Sequence, residues 1–162
     1  ELFRGVQVVA ISDYGKGFLT RTLLNAVIEC ASTRQIPVIA DPKGIDFTKY
    51  CGVTILKPNL GEVYAAANLG SDASLDKVAA RVLDISQAEL LMVTRSEEGI
   101  TVFDRSLHRL DFPVRPREVK DVTGAGDTVL AMLACAVANK IDLPEAVQLC
   151  NIAAGIAIER FG

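Results

Sequence analysis

Short apolar runs alternate with amphipathic stretches over the first two thirds of the chain. The run at 6–12 is rich in β-branched residues and predicts a buried parallel strand. Residues 20–35 follow with apolar positions three and four apart, which predicts a helix capped by Thr20 or Thr22. The same patterns predict further strands at 37–41, 53–58 and 89–96 and further helices at 59–70 and 74–86. Strands that alternate with helices favour a parallel α/β sheet with right-handed crossovers.

The pattern changes in the last third of the chain. Three short segments there, 100–104, 107–113 and 117–122, alternate as antiparallel strands do. Two helices are predicted after them, at 124–139 and 143–160. No internal repeat or low-complexity linker interrupts the chain, so we expect one unit over 1–162. Because core periodicity begins and stops close to both termini, we also expect this unit to be a fragment of a larger domain.

Composition narrows the class of protein. Half of the residues are hydrophobic, yet no apolar run reaches the length of a membrane span, and no signal peptide is apparent. A net charge of −3 leaves no basic stripe for nucleic acid, so we expect neither a nucleic-acid nor a membrane partner. The four cysteines lack C-x-x-C spacing, which favours buried thiols in a reducing cytoplasm. The single histidine, His108, disfavours a Ser–His triad or a multi-histidine metal site.

Polar turns follow four of the predicted parallel strands. They are 12–17 (SDYGKG), 41–44 (DPKG), 57–62 (KPNLGE) and 94–99 (TRSEEG). Each turn alone also suits ordinary helix capping. Because the carboxyl ends of parallel strands meet at one edge of a sheet, four such turns together indicate a ligand site at that edge.

A fifth polar stretch lies at the start of the helix predicted at 124–139. Gly124, Ala125 and Gly126 would leave several backbone N–H groups free at the positive end of the helix dipole, which suits a phosphate. Asp127 would lie beside that phosphate and could accept a proton from an attacking hydroxyl, as the base of a phosphoryl transfer does. Asp127 could equally serve only to stabilise the helix N-terminus. The chain has neither a P-loop nor a G-x-G-x-x-G motif.

The stretch 121–127 (DVTGAGD) resembles the Asp-Thr-x-Gly-Ala-Gly-Asp signature of the ribokinase/phosphofructokinase-B family of carbohydrate kinases, with Val122 in the second position. The resemblance covers essentially the whole chain in element order. It implies a ribokinase-like three-layer α/β/α fold, of which this chain would be the C-terminal half. It also implies that Asp127 is the catalytic base, that Gly124, Ala125 and Gly126 form the anion hole, and that the loop around Asp121 holds a monovalent cation such as K⁺ in some members.

Other motifs carry further implied roles. KPNLGE resembles the family's Asn-x-x-Glu motif, which implies that Asn59 and Glu62 lie by the phosphates and hold Mg²⁺ mainly through water. TRSEEG resembles the nucleotide-binding turn and implies that Thr94 and Gly99 lie near ATP. LCNIAAGIAI resembles the helix whose asparagine lies by the adenine, here Asn151.

Within the family, the turns together most resemble the heptose 7-phosphate kinases. This implies ATP-dependent phosphorylation of O1 of D-glycero-β-D-manno-heptose 7-phosphate, a step towards ADP-heptose and lipopolysaccharide. Asp13, Lys16 and Lys43 are candidate substrate residues, although both lysines equally suit exposed turns. Another sugar or nucleoside kinase, a non-catalytic nucleotide-binding module and an assembly domain are the alternatives. We expect the fragment alone to be inactive and to associate with itself or with a missing N-terminal half.

Overall fold

A computed structural model describes residues 3–114 and 124–160, with side chains up to residue 158. The segment predicted as a strand at 117–122 lies outside the described residues. The described ranges contain six strands: β1 (Val9–Ser12), β2 (Val38–Asp41), β3 (Ile55–Leu56), β4 (Leu90–Thr94), β5 (Ile100–Asp104) and β6 (Arg109–Phe112). The same described residues form five α-helices: α1 (Arg21–Ser32), α2 (Leu60–Ala67), α3 (Leu75–Ser86), α4 (Ala125–Ala138) and α5 (Leu143–Arg160).

The strands form one mixed sheet in the order in which they occur along the chain. β1 to β4 are parallel, and β5 and β6 extend the sheet as an antiparallel hairpin. The prediction of a parallel α/β sheet is confirmed, as are the antiparallel strands predicted at 100–104 and 107–113. All four parallel strands therefore present their carboxyl ends at the same edge.

Helices cover both faces of this sheet. Because successive side chains of a strand point to opposite faces, one strand can contribute to two cores. Along β2, Val38 and Ala40 belong to a core formed with α1, α2 and α3, and Ile39 belongs to a core formed with α4 and α5. On the second face Leu133 of α4 is completely buried, and burying a leucine of this size stabilises the fold by roughly 1.5–3 kcal/mol. The result is a three-layer α/β/α arrangement.

Capping residues set where three of the helices begin. The side chains of Thr20, Asn59 and Ser74 each accept a hydrogen bond from the backbone N–H three residues later. The predicted end of α2 at Gly70 is wrong, because Asn68 already adopts the left-handed conformation that stops the helix. A short 3-10 helix, Phe47–Tyr50, was not predicted.

The cysteines only partly match the prediction of buried thiols. All four are free, and Cys150 is buried, but Cys51 and Cys135 are exposed. His108 is exposed on the turn between β5 and β6. Within the described ranges, no helix combines the length and apolar character needed to cross a membrane.

Candidate active site

A cleft of about 240 Å³ opens at the carboxyl ends of β1 to β4, beside the N-terminus of α4. It brings together residues from all five polar stretches of the sequence. The predicted site residues that line it are Asp13, Lys43, Asn59, Glu62, Thr94, Gly124, Gly126 and Asp127. Ser12, Tyr14, Asp41 and Lys57 line it as well, and none of these four was singled out from the sequence.

The N-terminus of α4 forms one wall of the cleft. Gly124 precedes the helix with φ of 81°, a left-handed conformation that favours glycine, and provides no side-chain cap. Among the described residues, no side chain accepts from the N–H groups of the first turn, which begins at half-buried Ala125, whereas α1, α2 and α3 each have such an acceptor. A Cβ on Gly126 would meet protein atoms only at ordinary contact distance. The small side chains thus leave open space over backbone donors, which suits an anion.

Asp127 lies in the first turn of α4 and is exposed to the cleft. Its carboxylate accepts hydrogen bonds from two hydroxyl groups, that of Ser12 at the end of β1 and that of Tyr14 in the loop after it. The Tyr14 hydroxyl lies 3.0 and 3.1 Å from the two carboxylate oxygens, and Ser12 Oγ lies 3.3 Å from Oδ1. Successive side chains of a strand point to opposite faces of the sheet. Ile11 packs on the side of α1, so Ser12 points to the other face, where its hydroxyl meets α4.

A buried ion pair lies beneath the start of α4. Lys57 Nζ is 2.9 Å from Asp41 Oδ2, and the lysine side chain is only 2% exposed. The pair forms because Ala40 and Leu56 are register partners, so the next residue of each segment meets at the sheet edge. Burial raises the pKa of Asp41 above its ordinary value; Lys57 opposes this shift, and the nearby charges of Glu62 and Asp127 add to it.

Asn59 and Glu62 form a capping box at the start of α2. Asn59 Oδ1 accepts from the Glu62 backbone N–H, and Glu62 Oε2 accepts from the Asn59 N–H. Glu62 Oε1 lies 2.8 Å from Lys43 Nζ, and this hydrogen bond raises the pKa of Lys43. Oxygen ligands of this kind, with Asp41 nearby, suit Mg²⁺ that keeps several waters. Among the residues that the structure describes, no three His, Cys, Asp or Glu side chains form a direct metal cluster.

Asp13 is buried, and protein donors surround its carboxylate. Tyr50 Oη and Lys49 Nζ each lie 2.6 Å from Oδ2, and the Gly15 N–H donates to Oδ1 at 2.7 Å. Burial raises the pKa of Asp13, but the hydrogen bonds from Lys49, Tyr50 and Gly15 outweigh it, and the net pKa lies below the ordinary value. Asp13 therefore anchors the loop after β1. Lys16, two residues beyond Tyr14, is exposed and does not line the cleft.

Two residues predicted to lie near the nucleotide, Asn151 and Gly99, lie outside the cleft and approach the same backbone carbonyl. Asn151 of α5 donates from Nδ2 to the Phe112 carbonyl at 2.8 Å. Gly99 lies against the same carbonyl, which a Cβ would overlap. Gly99 is joined to the cleft through β4, because its carbonyl accepts from the Arg95 N–H, next to Thr94. Asp121, the predicted cation ligand, lies outside the described residues.

Solved structures share this fold. Phosphofructokinase-2 from Escherichia coli, in complex with potassium, superposes with a TM-score of 0.81 at 21% identity, over 96% of this chain and 52% of that one. A ribokinase from Thermotoga maritima gives 0.77 at 23% identity, over 96% and 51%. The class of the protein is thus a ribokinase-like three-layer α/β/α protein.

The chain belongs to the pfkB family of carbohydrate kinases, whose family model matches residues 2–162. It is 46% identical over 160 residues to the bifunctional protein HldE of Trichlorobacter lovleyi. The aligned region covers 98% of this chain and 33% of that protein. It is 49% identical over 157 residues to the HldE of Geobacter metallireducens, with 96% and 32% covered. The chain therefore spans about a third of the length of these curated relatives.

Proposed function

We propose that this chain provides the phosphate-binding half of an ATP-dependent carbohydrate kinase. The proposal rests on one observation: the Asp127 carboxylate and the uncapped N-terminus of α4 line the same cleft. A carboxylate and free backbone donors at one point suit a transferred phosphoryl group and the hydroxyl that attacks it. Membership of the pfkB family supports the same reaction.

The proposed reaction transfers the γ-phosphoryl group of ATP to a sugar hydroxyl. The Asp127 carboxylate takes the proton of the attacking hydroxyl, and the N–H groups of Ala125, Gly126 and Asp127 hold the oxygens of the transferred group. Asn59 and Glu62 would hold Mg²⁺ through water, and the ion, when bound, neutralises charge on the phosphates. Thr94, Gly99 and Asn151 would contact the nucleotide, and Asp121 would contribute to a K⁺ site in the adjoining loop.

The substrate that we propose is D-glycero-β-D-manno-heptose 7-phosphate, with O1 as the acceptor, within ADP-heptose synthesis for lipopolysaccharide. The support is the resemblance of the turn motifs together with the HldE names of relatives at 46% and 49% identity. Lys43 lines the cleft and offers a cation to a phosphate group. Another sugar of the same family remains the alternative, and a substrate screen separates the two.

We further propose that the chain works with an N-terminal half of the same kinase domain, in the cytoplasm. Among the described strands, β1 pairs with β2 alone, so its second edge is available for a further strand. Tyr14 and Phe18 in the loop after β1 and Ile45 in the loop after β2 are exposed apolar side chains that a covering segment could contact. Sedimentation of the isolated chain tests this idea, because a monomer at high concentration would contradict the self-association that we expect.

The test of the reaction is Asp127→Asn in the complete natural protein. We expect turnover of the heptose 7-phosphate to fall by about 10³-fold while the ATP dissociation constant is unchanged, since only proton acceptance is lost. Asp84→Asn, an exposed carboxylate on α3, is the matched control. Turnover within tenfold of wild type would refute the base assignment. A wild-type protein that binds ATP without phosphorylating any sugar would support the non-catalytic alternative.

A further inference from the structure

Tyr14 makes an unusual contact for an exposed aromatic residue. The residue is 64% exposed, yet its hydroxyl donates to the Asp127 carboxylate, with both oxygens within 3.1 Å. Ser12 adds a longer hydrogen bond to one of these oxygens. Asp127 is itself exposed, so without these hydroxyl groups its side chain would be free to change rotamer. The loop after β1 thus holds the carboxylate in its orientation towards the cleft.

The loop that carries Tyr14 is anchored from below. Asp13, the adjacent residue, is 8% exposed and is bonded to Tyr50, Lys49 and the Gly15 backbone. Tyr50 is fully buried, and its hydroxyl also accepts from the Lys43 N–H at 3.1 Å. The anchor thereby joins the loops after β1 and β2 to the 3-10 helix. A rigid support of this kind is what a precisely oriented side chain needs.

We propose that Tyr14 is a positioning residue for Asp127 and that buried Asp13 acts through it. Tyr14 holds the carboxylate in the rotamer in which it can accept the proton, and Asp13 fixes the loop that presents the tyrosine hydroxyl. This inference rests on the proposed role of Asp127 as the base. It assigns Asp13 a mechanical role and not the direct substrate contact expected from the sequence.

The first test is Tyr14→Phe in the complete natural protein, assayed with ATP and the heptose 7-phosphate. Removal of one oxygen keeps the ring, so we expect kcat to fall between about tenfold and 100-fold while both KM values stay within about twofold. Tyr64→Phe is the matched control, because its hydroxyl donates to the Ala73 carbonyl away from the cleft and should leave kcat at the wild-type value. A wild-type kcat in Tyr14→Phe, or a raised sugar KM with unchanged kcat, would overturn the proposal.

The second test is a double-mutant cycle with Asp13→Asn. If Asp13 acts through Tyr14, Asp13→Asn lowers kcat in the wild-type background but by less than about twofold in Tyr14→Phe. If the effects of the two substitutions on kcat multiply, or if Asp13→Asn raises the KM of the sugar, Asp13 contacts the substrate directly. Either result would refute the proposal that Asp13 acts through Tyr14. Tyr50→Phe, which removes one donor to Asp13, gives the milder variant if Asp13→Asn does not fold.

Asp127→Asn separates the two proposals. If that variant keeps its turnover, the proposed function fails. If it is inactive while Tyr14→Phe has the wild-type kcat, only the positioning role fails.

Discussion

Charged residues gather in two regions of this molecule, the cleft and the surface of the β5–β6 hairpin. On the hairpin, Asp111 accepts from Thr101, Arg95 and Arg109, and Arg109 also pairs with Asp76. The hydrogen bond from Arg109 holds the pKa of Asp111 below its ordinary value, with smaller contributions from the Thr101 hydroxyl and from the charges of Arg109 and Arg95. We call these residues the hairpin cluster. In the cleft, by contrast, the donors to the Asp127 carboxylate among the described residues are both hydroxyl groups, and no described side chain caps the neighbouring α4 N-terminus.

This difference separates charges that serve the fold from charges that can serve a ligand. In the hairpin cluster, opposite charges pair with one another on the protein surface. In the cleft, positively and negatively charged side chains surround a space large enough for a phosphate group. A high density of charge is therefore not enough to locate a site. What matters is whether donors remain beside an open space, as the backbone N–H groups at the start of α4 do.

The largest effect that we expect concerns the backbone of the hairpin and not its charges. Gly99 has φ of 85°, and a Cβ there would overlap the Phe112 carbonyl oxygen. Gly99→Ala should lower the free energy of unfolding by about 4 kcal/mol, from strain and overlap together. Gly5→Ala, with φ of 77° and open space around it, is the control and should cost about 1 kcal/mol. Equal losses in urea unfolding would show that the close approach to β6 does not matter.

The next effect tests the buried pair of the cleft. Lys57→Met leaves the Asp41 carboxylate without its cation and should cost about 3 kcal/mol at pH 7. Burial already holds the pKa of Asp41 above 3.8, so the folded state binds this proton more tightly than the unfolded state. The contribution of Asp41 to the free energy of unfolding therefore falls as pH rises from 3.8 through the pKa of the folded state. Lys57→Met should raise that folded pKa further and so widen the pH range over which the contribution falls.

Unfolding in urea at pH 4 and pH 7 checks this expectation, because the deficit of Lys57→Met should be smaller at the lower pH. The double variant with Asp41→Asn should recover part of the loss at pH 7, since no unpaired charge remains. A deficit that is the same at both values of pH would mean that lost packing, and not the stranded carboxylate, is responsible.

The smallest effect concerns the ion pairs of the hairpin cluster. Asp76→Asn removes one partner of Arg109, at a site where the Asp76 side chain is 54% exposed. We expect a loss of about 0.5 kcal/mol that disappears in 1 M salt, with kcat unchanged in the complete natural protein. A loss above about 2 kcal/mol, or a marked fall in kcat, would remove the distinction between the two regions.

Much of the fold and many of the cleft residues could be predicted without the structure. Strand and helix periods predicted the α/β order, and the cap at Asn59 follows from its position before an apolar helical stretch. The shared edge of parallel strands was enough to group Asp13, Lys43 and Thr94. The roles of these residues remain predictions. The end of α2 was missed, because Asn68 and Gly70 are both residues that can stop a helix.

The pairs across the cleft could not be predicted in the same way. Lys57 meets Asp41 only because β2 and β3 align Ala40 with Leu56, and a shift of either strand by one residue would direct its side chain to the other face, away from its partner. Neither side chain carries a local signal of a partner. Tyr14 likewise gives no sign in the sequence that its hydroxyl reaches Asp127.

The sequence by itself determined the local features of this protein: the period of each element, the caps three residues from their donors, and the glycines at the start of α4. These depend on interactions within a turn or two, so they can be inferred from neighbouring letters. Only the tertiary structure decided that Tyr14, 113 residues away in sequence, holds the carboxylate of Asp127. Such contacts depend on sheet register and on the face that each helix covers, and these are set by the packing of the whole core.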